Sequence, residues 1–402
     1  MRLSILALVF IVTVINYLDR GALSFAILAV QKDLGINDVQ FGFAAGAFAI
    51  GYTAMIGYAG YLVDRFGSIK LWALSAVLWS LVTAAIGLSQ NFATVVAFRI
   101  ALGVVEAVHF PALLKTMSDW LEPKWIARGI SLSLFGVPIA SVIGAPFITL
   151  LIESVGWRIM FYILGTLGII WAFFWLVYFT GKKNPHLNRG ASLLRKPERL
   201  HWKLYFTNPA LLASCFVYFI FGYILFFALF WMPGYLEKTY GVSLKNTGWL
   251  VMLPWLMSAV FVVIGGVLSD LLMKKTRSIR LSRVYPTAYA LLLTSICFFL
   301  LSETTRLETA MILVSLGLGF TFAINAPIFA FNADLFPNHV GTAQGISIFC
   351  FSLAGIVSPF LTGWLVQTSG HFRSAIFLVS ALSLAAALIA FVFQNPREQR
   401  TH

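Results

Sequence analysis

The chain is 402 residues long, with 60% hydrophobic residues and only 11% charged ones. Soluble domains carry about 25% charged residues, so this composition excludes one and points to a polytopic membrane protein. The net charge of +13 raises the question of a nucleic-acid partner, which the placement of the basic residues answers.

Twelve apolar segments follow one another near residues 3–30, 41–62, 70–88, 93–115, 127–152, 158–180, 209–232, 246–270, 284–302, 308–332, 341–367 and 373–394. Each has about the length a helix needs to cross the hydrocarbon layer, and the alternation of a membrane barrel is absent. The expected fold is all-α, with twelve transmembrane helices in two pseudo-symmetric six-helix bundles. The expected domains are residues 1–180, a cytoplasmic linker 181–208, and 209–402. The first segment lacks a small-residue cleavage site, so it reads as helix 1 rather than a signal peptide. Cys215, Cys297 and Cys350 lie in apolar runs without metal-ligand spacing and imply no disulfide and no metal.

Helix 1 carries N-Y-L-D-R-G-A-L-S at residues 16–24. An isolated charge in the middle of such a helix costs roughly 2.5–3.5 kcal/mol, which makes Asp19 and Arg20 functional candidates. Asn16, Tyr17, Arg20 and Ser24 form one polar stripe, while Asp19 points about 100° away from Arg20. After helix 2 comes G-Y-L-V-D-R-F-G-S-I-K, from Gly60 to Lys70. Helix 4 contains R-I-A-L-G-V-V-E-A-V-H-F-P, in which Arg99 and Glu106 share a face about 10 Å apart along the axis. An economical arrangement pairs Asp19 with Arg99 and leaves Arg20 and Glu106 facing a cavity. In the second half no ionisable residue lies deep in a helix. The polar groups there are Thr321, Asn325 and Asn332 on helix 10 and Gln344 and Ser352 on helix 11. The aromatic residues of helix 7, from Tyr218 to Trp231, read as lipid-facing or packing residues.

With the N-terminus inside, 20 of the 28 Lys and Arg fall on cytoplasmic segments and 6 on outer loops. That asymmetry places both termini and the central loop in the cytoplasm, so the basic surplus is a topology signal and no nucleic-acid partner is implied. The chain also repeats. Gly60 and Asp64 match Gly266 and Asp270 at an offset of 206, and R-G-I-S-L at 128–132 matches Q-G-I-S-I at 344–348 at an offset of 216. Repeats of this kind build transporters that bind substrate at the midplane between the halves.

The stretch from Gly60 to Lys70 resembles the loop signature of the major facilitator superfamily, with a decayed copy around Asp270. Within that superfamily, N-Y-L-D-R-x-x-L-S, the helix 4 stretch from Arg99 to Pro111, and G-W-R at 156–158 resemble the anion:cation symporter family. Its members include carriers of galactonate, hexuronates, tartrate and other organic anions, and the lysosomal sialic-acid and vesicular glutamate carriers. The resemblance implies a transporter rather than an enzyme, in the bacterial inner membrane, monomeric and without cofactor. A proton gradient would drive it, and its partners would be a small organic anion, protons and the lipid bilayer.

The residues divide that work as follows. Arg20 offers a planar fork matching a carboxylate. A carboxyl group removed from water takes a proton near neutral pH, which makes Glu106 the coupling site; the resemblance implies the same assignment, with Asp19 as second protonatable carboxylate and Arg99 its partner. The same four residues can also be read as an ion-pair network that only orients helices. His109 can relay protons or simply pack, and Tyr17 and Tyr52 can bind substrate hydroxyls or simply pack. Asn325 and Ser352 are the substrate-binding candidates of the second half. Gly60, Asp64, Arg65, Gly67, Arg128 and Asp270 form the candidate gate. In it the two glycines allow close approach and a turn, and Asp64 accepts from Arg128 or from a helix N-terminus. Related sugar-acid carriers place a glutamine in helix 5 where this chain has Val137, which fits a less hydroxylated carboxylate equally well. The leading reading is proton-coupled symport. The alternative is proton-coupled efflux, for which G-V-P at 136–138 and G-A-P at 144–146 give partial support. A membrane enzyme would need a nucleophile with a base or a metal cluster, and none is visible.

Overall fold

The computed structural model describes residues 2–182, 205–336 and 340–394, with the side chains of Arg128 and several neighbours outside that description. The chain separates into two compact units, Met1–Leu200 and His201–His402. Most of the expected central linker lies outside the described residues.

The first unit holds α1 (Arg2–Phe25), α2 (Ile27–Leu34), α3 (Asp38–Phe66), α4 (Ser68–Ile86), α5 (Phe92–Glu106), α6 (His109–Trp120) and α7 (Pro123–Phe179). The second holds α8 (Pro209–Tyr240), α9 (Leu244–Thr276), a π-helical turn (Arg280–Val284), α10 (Tyr285–Glu303), α11 (Leu307–Ala323), α12 (Asn325–Leu335), α13 (Val340–Ser369) and α14 (Arg373–Phe393). Among the described residues, eleven helical stretches are long and apolar enough to cross a membrane. The 45-residue stretch Phe135–Phe179 folds as two across Gly156, whose φ of 84° no side-chain-bearing residue adopts without strain. All twelve expected segments are therefore helical, and the fold is the expected all-α membrane architecture.

Two of the spans are broken at matching places. Pro111 has no N–H for the Ala107 carbonyl, so α5 stops at Glu106 and α6 restarts at His109. Pro327, 216 residues on, does the same to Ala323 and separates α11 from α12. The pairing of helices repeats as well. In the first unit α1 packs on the first half of α7, α3 on α5, and α4 on the second half of α7. In the second, α8 packs on α13, α9 on α11 and α10 on α14. The α3 to α5 contact is backbone against backbone. A Cβ on Gly103 would collide with the Phe48 carbonyl, and one on Gly51 with the Ile100 carbonyl, which is the small-residue approach that membrane helices use in place of a hydrophobic driving force. Polar loops are closed by caps, as at Asn37 and Asn91, each of which forms a reciprocal capping box.

Lipid-compatible side chains cover the outside, with Leu74, Leu81, Phe173 and Val177 all more than half exposed. The helix 7 aromatics pack inward: Tyr223, Phe227 and Trp231 are buried. Cys215 and Cys297 are buried and Cys350 half-buried, all as free thiols.

Candidate functional site

Inside the first unit, α1, α3 and α5 bring together almost every charged residue singled out in its helices. Arg20 and Glu106 are paired directly, Nε donating to Oε2 at 2.6 Å, with the carboxylate fully buried. Three rings surround the guanidinium: Tyr17 and Phe48 at 4.8 Å and Tyr52 at 4.9 Å. Such cation–π contacts partly replace lost hydration. Arg20 Nη2 remains buried without a hydrogen-bond partner among the described residues, and a buried donor left so costs about 1–3 kcal/mol. Asn16 reaches toward the Glu106 carboxylate from one turn before Arg20.

The expected pairing of Asp19 with Arg99 does not occur. Arg99 leaves α5 on the α3 side, where its Nη2 donates to the Ala45 carbonyl at 3.2 Å and Phe48 lies 5.3 Å from its Cζ. The glycine contact at Gly51 and Gly103 draws α3 close enough to claim it. Phe48 thus lies between two guanidinium groups. Asp19 is buried, with no hydrogen bond to Arg99, and its carboxyl faces the Thr83 hydroxyl beyond direct bonding distance.

His109 opens α6 and sits against Trp72, Trp79 and Phe110, with ring centroids 5.5, 6.2 and 5.0 Å away. Its Nε2 lies 3.4 Å from Thr13 Oγ1, whose own proton goes to the Val9 carbonyl. The hydroxyl is therefore the acceptor, Nε2 carries the ring proton, and Nδ1 is left without a partner among the described residues.

The gate candidates divide. Gly67 takes φ 82° at the joint of α3 and α4, as a turn there requires, whereas a Cβ on Gly60 would meet nothing within 4 Å, so close approach does not explain it. Asp64 pairs with Lys115 at 3.3 Å, and Lys115 lies 3.9 Å from Asp119. The Arg128 side chain lies outside the described residues. Arg65 turns along its own helix and donates to Tyr61 Oη at 3.1 Å. In the second unit Asp270 pairs with Arg283 at 3.0 Å, and Arg283 also meets Asp334 at 3.4 Å and Ser269 at 2.6 Å. Sequence reasoning missed Lys115, Arg283 and the two further acids, although Asp119 and Asp334 stand 215 residues apart, in line with the repeat.

Of the second-unit candidates, Asn325 is half-buried at the break before α12, and Ser352 Oγ donates to the carbonyl of Ile348 on its own helix. The other loop motif has a structural role. From G-W-R, Arg158 binds Asp33 at 3.0 Å and the carbonyls of Gly87 and Ser89 at 2.9 and 2.7 Å, tying three loops of the first unit together.

A repeated pair of helical units, with a desolvated cluster of two arginines and two carboxylates inside one of them, defines a membrane transport protein. The Major Facilitator Superfamily model matches residues 9–331 and 282–402, and the chain belongs to that superfamily of transporters. It is 28% identical over 401 residues to the hexuronate transporter of Bacillus subtilis, covering 98% of this chain and 95% of that one. It is 30% identical to a probable galactarate/D-glucarate transporter of Bacillus subtilis, covering 98% and 92%, and 28% identical to a probable sulfoacetate transporter of Cupriavidus necator, covering 98% and 94%. These relatives are of the anion:cation symporter type that the helix 1 and helix 4 motifs resemble. Among solved structures, a bacterial homologue of the human lysosomal transporter Spinster superposes with a TM-score of 0.86 at 18% identity, covering 98% and 97%. The D-xylose-proton symporter gives 0.78 at 16%, covering 98% of each chain. Both share the fold.

Proposed function

We propose that this chain imports a small organic anion together with protons by alternating access, with both termini in the cytoplasm and no cofactor. The observation that carries the reading is the Arg20 to Glu106 contact. Glu106 holds one edge of the guanidinium, and Nη2 beside it has no partner among the described residues. A substrate carboxylate and the ionised Glu106 compete for the same cation. Protonating Glu106 removes the competitor and leaves a positive site matched to an anion. Asp19 is the second carboxylate of the cluster. The names of the relatives, carriers of hexuronate, galactarate and sulfoacetate, support an anionic substrate.

The cytoplasmic-side pairs Asp64 with Lys115 and Asp270 with Arg283 would be the contacts that re-form in each cycle. Asp64 keeps 74% of its side chain exposed, and exposed pairs contribute only about 0–1 kcal/mol. Such a weak contact suits a latch that must open. The test is uptake in proteoliposomes under an imposed proton gradient: accumulation of a carboxylate that collapses with the gradient supports symport, and substrate-driven proton exit in exchange for entry supports the efflux alternative.

A further inference from the structure

Phe48 is buried on α3, and two guanidinium groups stand over its ring, that of Arg20 at 4.8 Å and that of Arg99 at 5.3 Å. Tyr52, one turn further along α3, stacks on it with ring centroids 5.7 Å apart and planes 25° from parallel, and is itself 4.9 Å from Arg20. Residues four apart share one face of a helix, so α3 presents a surface of two rings to Arg20.

The backbone beneath that surface has little freedom. A Cβ on Gly103 would collide with the carbonyl of Phe48, so α5 touches α3 at this residue. Three residues earlier, the Ala45 carbonyl accepts from Arg99 Nη2 at 3.2 Å. Thus α5 grips α3 at both places, and the ring is carried on a fixed stretch of helix.

What the ring contributes follows from how a guanidinium bonds. Its five N–H donors lie in its plane, around the edge. A carboxylate or carbonyl that holds the group occupies some of those donors and competes with an incoming anion for them. A ring face attracts the cation from above or below and occupies none. In Arg20 the edge is shared between Glu106, bound through Nε, and Nη2, which has no hydrogen-bond partner among the described residues. An aliphatic side chain would fill the same space without attracting the charge.

We propose that Phe48 is a positioning residue of the anion site. Its ring holds the Arg20 guanidinium by the face and so keeps the edge turned to Glu106 and to the substrate carboxylate. This rests on the organic-anion reading above and adds to it the group that orients the clamp.

The test replaces Phe48 by phenylalanines carrying one, two and three ring fluorines, which nearly preserve the shape of the ring while withdrawing negative charge from its face. Affinity of the purified full chain for D-glucuronate, D-galactarate and sulfoacetate is read by calorimetry. Each added fluorine should weaken binding further, to about fivefold for three, with cooperative melting retained. Phe48→Leu should lose at least as much. Affinity that stays unchanged across the fluorinated series overturns this inference and leaves the organic-anion reading standing. Should Phe48→Leu not fold, the fluorinated series decides alone. If the unmodified chain melts cooperatively and binds none of the three anions, the organic-anion reading falls and this inference with it.

Discussion

Arg20 and Glu106, 86 residues apart, meet at 2.6 Å in the interior of the first unit, while the carboxylate of Asp19, next to Arg20 in the chain, makes no hydrogen bond among the described residues. The guanidinium is therefore committed to the one carboxylate whose protonation would free it.

Replacing Glu106 by Gln fixes the site in a state resembling the protonated one. Gradient-driven accumulation should be abolished, while substrate binding and exchange persist. Accumulation at the unmodified level, at equal protein content in the vesicles, would remove Glu106 from the coupling step.

Arg20→Lys keeps the charge and loses the fork. An ammonium cannot engage Glu106 or a substrate carboxylate through two parallel donors, and it stacks less well among Tyr17, Phe48 and Tyr52. Affinity should fall at least tenfold, about 1.4 kcal/mol. Wild-type affinity in a direct calorimetric titration would disprove the carboxylate clamp.

His109 is enclosed by Trp72, Trp79 and Phe110 and gives its one ring proton to Thr13. That environment is one of packing. His109→Gln should lower the melting temperature by several degrees and leave the pH dependence of substrate binding in place. A pH profile that flattens in this variant, with stability unchanged, would return His109 to the proton path.

Gly103 and Gly60 make a paired test of what glycine does on these helices. Gly103→Ala forces a Cβ into the Phe48 carbonyl, and overpacking of this kind costs about 1–3 kcal/mol. It should also displace Phe48 and weaken binding. Gly60→Ala meets no atom within 4 Å and should be neutral or slightly stabilising. Equal thermal stability of the two variants would contradict the close approach of α3 and α5.

The helices were legible because a bilayer demands about 20 apolar residues for each crossing, and charges within them stand out against that background. The partners were less legible. Which side of α5 Arg99 leaves depends on the backbone contact at Gly51 and Gly103, which no spacing within α5 encodes. Phe48 is one of 37 phenylalanines, and nothing local distinguishes it. Lys115 could be seen as a cation, but its closeness to Asp64 follows from how α6 runs after the Pro111 break. The repeat offset was the unused signal: it relates Pro111 to Pro327 and Asp119 to Asp334, and through them points to the second-unit pair around Arg283.

The pH dependence of binding separates symport from antiport. In the proposed cycle an anion binds Arg20 when Glu106 is protonated, so binding takes up a proton, and affinity must rise as pH falls. While Glu106 is ionised in the free protein, uptake of one proton per anion gives about tenfold in affinity per pH unit. Below the pH at which it is already protonated the curve flattens. If Asp19 titrates together with Glu106, the observed midpoints belong to the pair rather than to either carboxylate. An antiporter has the opposite sign, because proton and substrate compete. Titrating affinity from about pH 5.5 to 8, with a substrate ionised throughout, reads the sign directly. Affinity that rises on acidification, and loses its slope in Glu106→Gln, supports symport. Affinity that falls steadily on acidification rejects symport and makes the chain an exporter.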